Sequence, residues 1–201
     1  MAFLRSVTAG DTLPQLHGKD VFLRLPASGD YPDWAELRAR SRGFLTPWEP
    51  TWVSDELSRT SYRRRLRQYQ KDLRDQVGYA FFAFRSYDHA LLGGLSLTNV
   101  RRGVTQAVTL GYWMGVQHAG RGYMTQAVGL LKPFVFENLW LHRLEAACLP
   151  DNTASMRVLE KNGFVAEGLA RRYLKINGAW QDHRLYGLVA DDATAANTER
   201  G

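Results

Sequence analysis

Gly115-Val116-Gln117-His118-Ala119-Gly120-Arg121-Gly122-Tyr123-Met124-Thr125 joins two segments of different period. Upstream, Ala107 to Met114 is aromatic and β-branched and reads as a strand; downstream, Met124 to Leu139 has a helical pattern. Gly120 and Gly122 stand two apart, which lets the backbone turn tightly and approach a ligand closely. The helix that follows offers unpaired N–H groups and the positive end of its dipole. Together these would cradle a diphosphate, with Arg121 as a charged donor. The same glycines also suit a plain strand-to-helix turn. A Rossmann fingerprint is missing, because no third glycine follows Gly122 and no parallel strand–helix repeat precedes it. A Gly-Lys-Ser/Thr phosphate loop is missing too.

The rest of the chain falls into place around this turn. Before it, Val21–Leu25 reads as a strand, and a helix starts near Asp30, with Pro32 in its first turn, and closes at Gly43. An aromatic loop with two prolines, Pro47 and Pro50, covers residues 44–54. A second helix starts at Ser54 or Asp55 and carries the apolar stripe Tyr62, Leu66, Tyr69, Leu73, with arginines over most of the remaining surface. Tyr79–Phe84, Leu91–Leu97 and Ala107–Met114 then form an antiparallel meander. After the glycine turn comes the helix 124–139, which Pro133 should kink. A strand at Arg143–Cys148, a helix at Thr153–Lys161 and strands at Phe164–Lys175 and Trp180–Val189 complete the order, the last two joined by an Asn177-Gly178 hairpin turn. Consecutive strands followed by a strand–helix–strand crossover predict an α+β fold: a mostly antiparallel mixed sheet with helices on both faces.

The chain of 201 residues is read as one domain, with irregular ends over 1–19 and 191–201. Hydrophobic residues at 45% and charged residues at 23% exclude a disordered chain. No apolar run reaches the ~18 residues that a membrane span needs, and residues 1–11 lack the apolar centre of a secretion signal. Cys148 is alone, so no intramolecular disulfide forms, and the expected home is the cytoplasm. The net charge of +6 is shared equally by the two halves of the chain, with one local exception: seven basic residues face one acid between Arg59 and Arg74. That run is either a solvated helix face or a surface for an anionic partner. His17, His89, His118, His142 and His183 show no metal-ligand spacing, and no metal site is expected.

Gln117-x-x-Gly120-x-Gly122 resembles the Q/R-x-x-G-x-G/A signature of the GCN5-related N-acetyltransferase (GNAT) superfamily. Asn152-x-x-Ser155 and Leu159-Glu160-Lys161-Asn162-Gly163-Phe164 resemble its second cofactor motif. Val21–Leu25, Leu45-Thr46-Pro47-Trp48, His142–Ala146 and Gly168–His183 are similar to the RimJ/RimL group, with Tyr173–His183 closest to RimJ. The resemblance spans about residues 20–190. It implies a GNAT-like fold with a parallel strand pair at the cofactor site and acetyl-CoA as co-substrate. It also implies direct transfer of acetyl to the N-terminal amine of a protein, a ribosomal protein or one on the ribosome.

The same resemblance assigns residues. Met114, Val116, Gln117, His118, Ala119, Gly120, Arg121, Gly122, Tyr123, Met124 and Thr125 would hold the cofactor, with Asn152 on the pantetheine amide and Ser155 at the thiol. Many relatives carry a glutamate on the strand before the glycine turn; Val108–Met114 has no acid, and Glu49 is the substitute base. A tyrosine four residues before the Gly-Phe glycine is also common; here Leu159 stands there, and Ser155 becomes the proton donor. An α-amine has a reference pKa of about 7.7–8.0, so a modest base suffices. Independently of the resemblance, the rings of Trp48, Tyr112 and Tyr173, apolar walls with a polar handle, would line the amine pocket, with Glu49 beside them. Cys148 is expected to be a buried small hydrophobe, and Trp113 and Phe164 core. Two other functions stay open: acetylation of a small amine or antibiotic, and a non-catalytic RNA- or ribosome-binding module using helix 59–74. No membrane or direct DNA role is expected, and the chain would be a monomer or homodimer.

Overall fold

The computed structural model describes residues 15–192. Eight strands form one sheet in the order β1-β2-β3-β4-β5-β6-β8-β7. They are β1 (Leu16–His17), β2 (Val21–Arg24), β3 (Tyr79–Arg85), β4 (Leu91–Arg101), β5 (Ala107–Met114), β6 (Arg143–Cys148), β7 (Val165–Ile176) and β8 (Ala179–Val189). The helices are α1 (Tyr31–Arg40), α2 (Arg42–Leu45), α3 (Arg59–Arg74), α4 (Tyr123–Pro133) and α5 (Thr153–Lys161). Every strand pair is antiparallel except β5 with β6. No helix among the described residues is long and apolar enough to cross a membrane.

Strand β3 shows why the helices lie on both faces. Tyr-Ala-Phe-Phe-Ala-Phe, residues 79–84, is buried throughout. Side chains alternate across a sheet, so a continuous apolar run needs cover on each side. Tyr79, Phe81 and Ala83 join the larger core with Ala127, Val128 and Leu131 of α4 and Leu159 of α5. Phe82 and Phe84 join Trp34 and Leu37 of α1 and Tyr62 of α3 on the opposite face.

Several local expectations are corrected. Leu16–His17 is not irregular; it pairs with Phe22 and Leu23. Most of the other end expected to be irregular, residues 193–201, lies outside the described residues. The first helix closes at Ser41, not Gly43, because the chain bends there and residues 42–45 make a separate turn of helix. The aromatic loop coils tightly at Thr46–Trp48, and α3 starts four or five residues late, where the Ser58 hydroxyl accepts the Ser61 N–H. Beyond Pro133 the helix widens into a π-type turn over Phe134–Asn138, since proline has no N–H and crowds the preceding turn. The hairpin behaves as expected: Asn177 and Gly178 have φ of 44° and 84°.

Candidate active site

β5 and β6 pair only as far as Leu110 and Ala146. From there β5 follows β4 to Met114 and β6 follows β8 to Cys148. The two parallel strands therefore part, and a cleft of about 570 Å³ occupies the gap. Its walls are the ends of β5 and β6, the start of α4 and the start of α5, with Trp48 and His183 at the other face.

The glycine turn divides into a closed half and an open half. In the closed half, Gly115 N–H donates to Leu92 O, His118 N–H to Gly115 O and Ala119 N–H to Val116 O. Val116 N–H donates to the fully buried Ser41 hydroxyl at 2.9 Å. The open half begins at Gly120 and Gly122, with φ of 74° and 79°. A Cβ at either would meet nothing within 4 Å, so both backbones face free space. Gln126 N–H on Gly122 O is the first intrahelical bond, leaving the N–H groups of Tyr123, Met124 and Thr125 ahead of it. No side chain caps this end of α4. Nearby, His118 Nδ1 is buried without a partner. Burial, helped by Arg85 and Arg121, lowers the pKa of that imidazole. Donors, dipole and open space converge here as an anion cradle.

Of the eleven residues predicted for this turn, Met114, His118, Ala119, Gly120 and residues 122–125 line the cleft; Val116, Gln117 and Arg121 do not. Ser41 was not foreseen, because its bond to Val116 spans 75 positions. Replacing Ser41 by alanine leaves the Val116 N–H unpaired and should lower stability by about 1–2 kcal/mol, read from urea unfolding.

Ser155 and Asn152 both line the cleft. The Asn152 side-chain oxygen caps α5 by accepting Ser155 N–H at 3.0 Å. Across the gap, the Tyr112 hydroxyl lies 2.6 Å from Ser155 Oγ and 3.2 Å from Ser155 O. Burial pushes the Tyr112 phenol well above its ordinary pKa, and Cys148 adds to the rise. Cys148 is buried, as expected, and burial raises its thiol as well. Phe164 is core, and Trp113 packs against the second core.

A second pocket, of about 490 Å³, opens on the α1/α3 side of the sheet. It shares Glu49, Gly111, Tyr112 and Trp113 with the first. Glu49 differs most from its expected role as a free base. Arg38 grips it with both terminal nitrogens, Nη2–Oε2 at 2.6 Å and Nη1–Oε1 at 3.1 Å, and Trp52 Nε1 donates to Oε2 at 2.7 Å. The guanidinium is itself stacked 4.4 Å from the Trp52 ring and 4.9 Å from the Trp113 ring. Arg65, read as part of the solvated face, turns inward to Glu56 at 2.5 Å. Tyr173 lines neither pocket; it is half-exposed and packs edge-on to His183. Among the described residues no group of histidine, cysteine and acidic side chains could hold a metal.

Known proteins agree with this geometry. Residues 20–165 match the family described as the acetyltransferase (GNAT) domain. The probable N-acetyltransferase YjcK of Bacillus subtilis is 37% identical over 177 residues, 88% of this chain and 98% of the relative. The [ribosomal protein uS5]-alanine N-acetyltransferase of Escherichia coli is 31% identical over 160 residues, 80% of this chain and 82% of the relative. The solved structure of Mycobacterium smegmatis RimJ in complex with CoA-disulfide superposes with a TM-score of 0.81 at 31% identity, covering 88% of this chain and 89% of that one. Matched over most of its length by fold and sequence, the chain belongs to the GNAT family of acetyltransferases and is similar to its RimJ members.

Proposed function

We propose that this acetyltransferase moves acetyl from acetyl-CoA to the N-terminal α-amine of a protein, a ribosomal protein in the cytoplasm, by direct attack. The observation that carries the reading is the meeting of two pockets at Tyr112 and Trp113, one of them ending in the open cradle of α4. Similarity to the uS5-alanine enzyme and to RimJ supports the choice of acceptor.

The cradle fits acetyl-CoA on this chain's own features: unpaired N–H groups, left-handed glycines with nothing in front of them, and a cleft long enough to reach Ser155. When bound, acetyl-CoA offers a thioester carbonyl for attack and a thiol as leaving group. The N–H groups ahead of Gln126, with Gly120 and Gly122, hold the diphosphate. Asn152 keeps its Nδ2 donor for the pantetheine arm, its oxygen being engaged by Ser155 N–H. The Ser155 hydroxyl, on the wall of the same cleft, would contact the sulfur. The acceptor amine enters through the second pocket, past Trp52 and Trp113. Glu49 holds a negative charge beside that path, but three hydrogen bonds fix it in place, so it attracts the amine more than it takes a proton. The amine loses its proton to water instead, which a pKa of about 7.7–8.0 allows.

The test mixes the protein with acetyl-CoA and peptides beginning in Ala or Ser, alongside a panel of small amines, and follows release of free thiol. Acetylation of the peptide amines is expected. Turnover on a small amine alone would reject the acceptor. The pH profile is a second check. An α-amine acceptor must be neutral to attack, so kcat/KM should rise with pH, bend at the amine pKa of about 7.7–8.0 and level off about one unit above it. A lysine acceptor would keep the profile rising towards its pKa of about 10.4.

A further inference from the structure

We propose that His183 is the catalytic base of the transfer: its Nε2 takes the proton that the acceptor nitrogen sheds as the amide forms. The inference rests on the acetyl-CoA reading above and supplies the base that this reading lacks. Neither expected position provides one. The strand before the glycine turn carries no acid, and Glu49 is clasped by Arg38 and Trp52. Of the other groups lining the cleft, His118 belongs to the cradle and Asp151 is exposed ahead of α5. The Cys148 thiol and the Tyr112 phenol are held protonated by burial.

The strand ends put His183 where the amine arrives. β6 stops at Cys148, whose partner on β8 is Arg184. His183 is the next residue along β8, so no β6 residue pairs with it beside the gap. Side chains alternate along a strand. Tyr186 and Leu188 enter the larger core, so His183 lies on the opposite face, which α1 and α3 cover and from which the second pocket opens. It lines the cleft with Trp48, Glu49 and Trp113, although only 3% of it is exposed. Glu49 and Trp113 also line the second pocket, on the path of the amine.

The hydrogen bonding of the ring fixes its tautomer. Nδ1 lies 3.0 Å from Gln181 O, and a carbonyl oxygen only accepts, so Nδ1 carries the hydrogen. The neutral ring therefore keeps its lone pair on Nε2, which has no hydrogen-bond partner among the described residues. Tyr173 packs edge-on against the ring, 5.8 Å between centroids. An imidazole oriented through one nitrogen, with a lone pair left on the other and its ring in the cleft wall, is the arrangement that proton abstraction needs.

Two protons leave the acceptor in turn. The ammonium of the free peptide gives the first to water before attack. The neutral amine then bonds to the carbonyl carbon, the C–S bond breaks and its electron pair moves to sulfur. Nitrogen, positive once it has bonded, gives its second proton to His183 Nε2 and becomes the amide. Sulfur gains one proton from water, and the imidazolium returns one to water as the products leave. No further reactant is consumed.

Nitrogen NMR of protein labelled at histidine reads the base without turnover, with the His183 resonances assigned through the Overhauser contact to the Tyr173 ring. The wild-type ring should show the Nδ1–H tautomer. With CoA bound, adding a peptide that the enzyme acetylates should move the Nε2 resonance, because the amine now donates to it. In turnover, His183→Gln, which fills the site but takes no proton, should lower kcat about a hundredfold, the lower end of base catalysis. Its affinity for acetyl-CoA, read by calorimetry, should stay that of the wild type. An Nε2–H ring, an Nε2 resonance that ignores the acceptor, or a variant kcat close to the wild-type value would each overturn the base and leave the cofactor reading standing. A fall in kcat matched by an equal fall in acetyl-CoA affinity would also overturn it, since the histidine would then serve the fold. If His183→Gln does not fold, the two wild-type NMR readings decide. If the turnover assay rejects peptides and accepts a small amine, that amine becomes the probe, so the acceptor reading and the base fail separately. A wild-type protein that binds no CoA overturns both the cofactor reading and the base.

Discussion

Replacing Arg38 by alanine should destabilise the protein by about 3–5 kcal/mol, the range for breaking one side of a buried ion pair. Two contributions add. The Glu49 carboxylate, only 17% exposed, would keep its charge and lose both bonds from the guanidinium. The aromatic wall would also lose a cation and its alkyl stem between Trp52 and Trp113, where cation–π contact adds about 0.5–2 kcal/mol. The first contribution dominates, and a second variant separates it. Arg38→Met with Glu49→Gln removes both charges, fills much of the same volume and should recover most of the loss. Urea unfolding of the three proteins gives the comparison. A loss below about 1 kcal/mol in Arg38→Ala would mean that Glu49 turns to water instead of staying clasped. The consequence reaches the site, because Glu49 O also accepts Asn177 N–H from the β7–β8 hairpin at 2.9 Å. The Arg38–Glu49 pair ties α1 to the aromatic loop, and the loop to the far end of the sheet.

That clasp marks the limit of what the sequence discloses. The strands, the crossover and the cradle were legible because each is a local pattern: alternation, a Gly-x-Gly turn ahead of a helix, an Asn-Gly between two strands. Burial of β3 on both faces was legible in outline, since an unbroken apolar run has few other uses. Pro133 signalled a break but not its form, because whether a helix kinks or widens depends on what packs against the next turn. Long-range partners were hidden. Glu49 reads as a loop acid until Arg38, eleven residues earlier, folds back on it. Tyr112 reads as a wall of the amine pocket, and its contact with Ser155 emerges only when α5 is placed opposite. Tyr173 reads as an aromatic pocket wall with a polar handle, yet β7 is an edge strand whose surface there stays half open. The basic helix was legible as a solvated face except at Arg65, whose inward turn depends on Glu56. For Glu49, Tyr112 and Arg65 the missing information is which side chain elsewhere in the fold satisfies a charge or a hydroxyl.

Gly122→Asp should weaken acetyl-CoA binding by two orders of magnitude or more while leaving the stability of the fold close to that of the wild type. The two effects separate because the position faces open space at the cleft and not the core. A Cβ there meets no protein atom, so no packing is disturbed. The φ of 79° strains most side chains, but aspartate is among the few that tolerate this region. Position 122 is also the N-cap of α4, which no side chain now caps. A carboxylate there would accept the N–H groups of the first turn and stabilise the helix by about 1 kcal/mol, offsetting the strain. Those are the N–H groups assigned to the diphosphate, so the carboxylate would occupy its donors and repel its charge together. Two unit charges about 5 Å apart at an effective dielectric near 20 repel by about 3 kcal/mol, more than a hundredfold in Kd. The repulsive part should shrink as salt is raised, while the loss of donors should not. Calorimetric titration at two ionic strengths, with a thermal melt of the ligand-free protein, separates these contributions. Gly122→Ala, which adds bulk without charge, should fall between, at about tenfold weaker. Wild-type affinity in the aspartate variant would place the diphosphate away from α4. A lower melting temperature together with weak binding would mean that the glycine serves the fold after all.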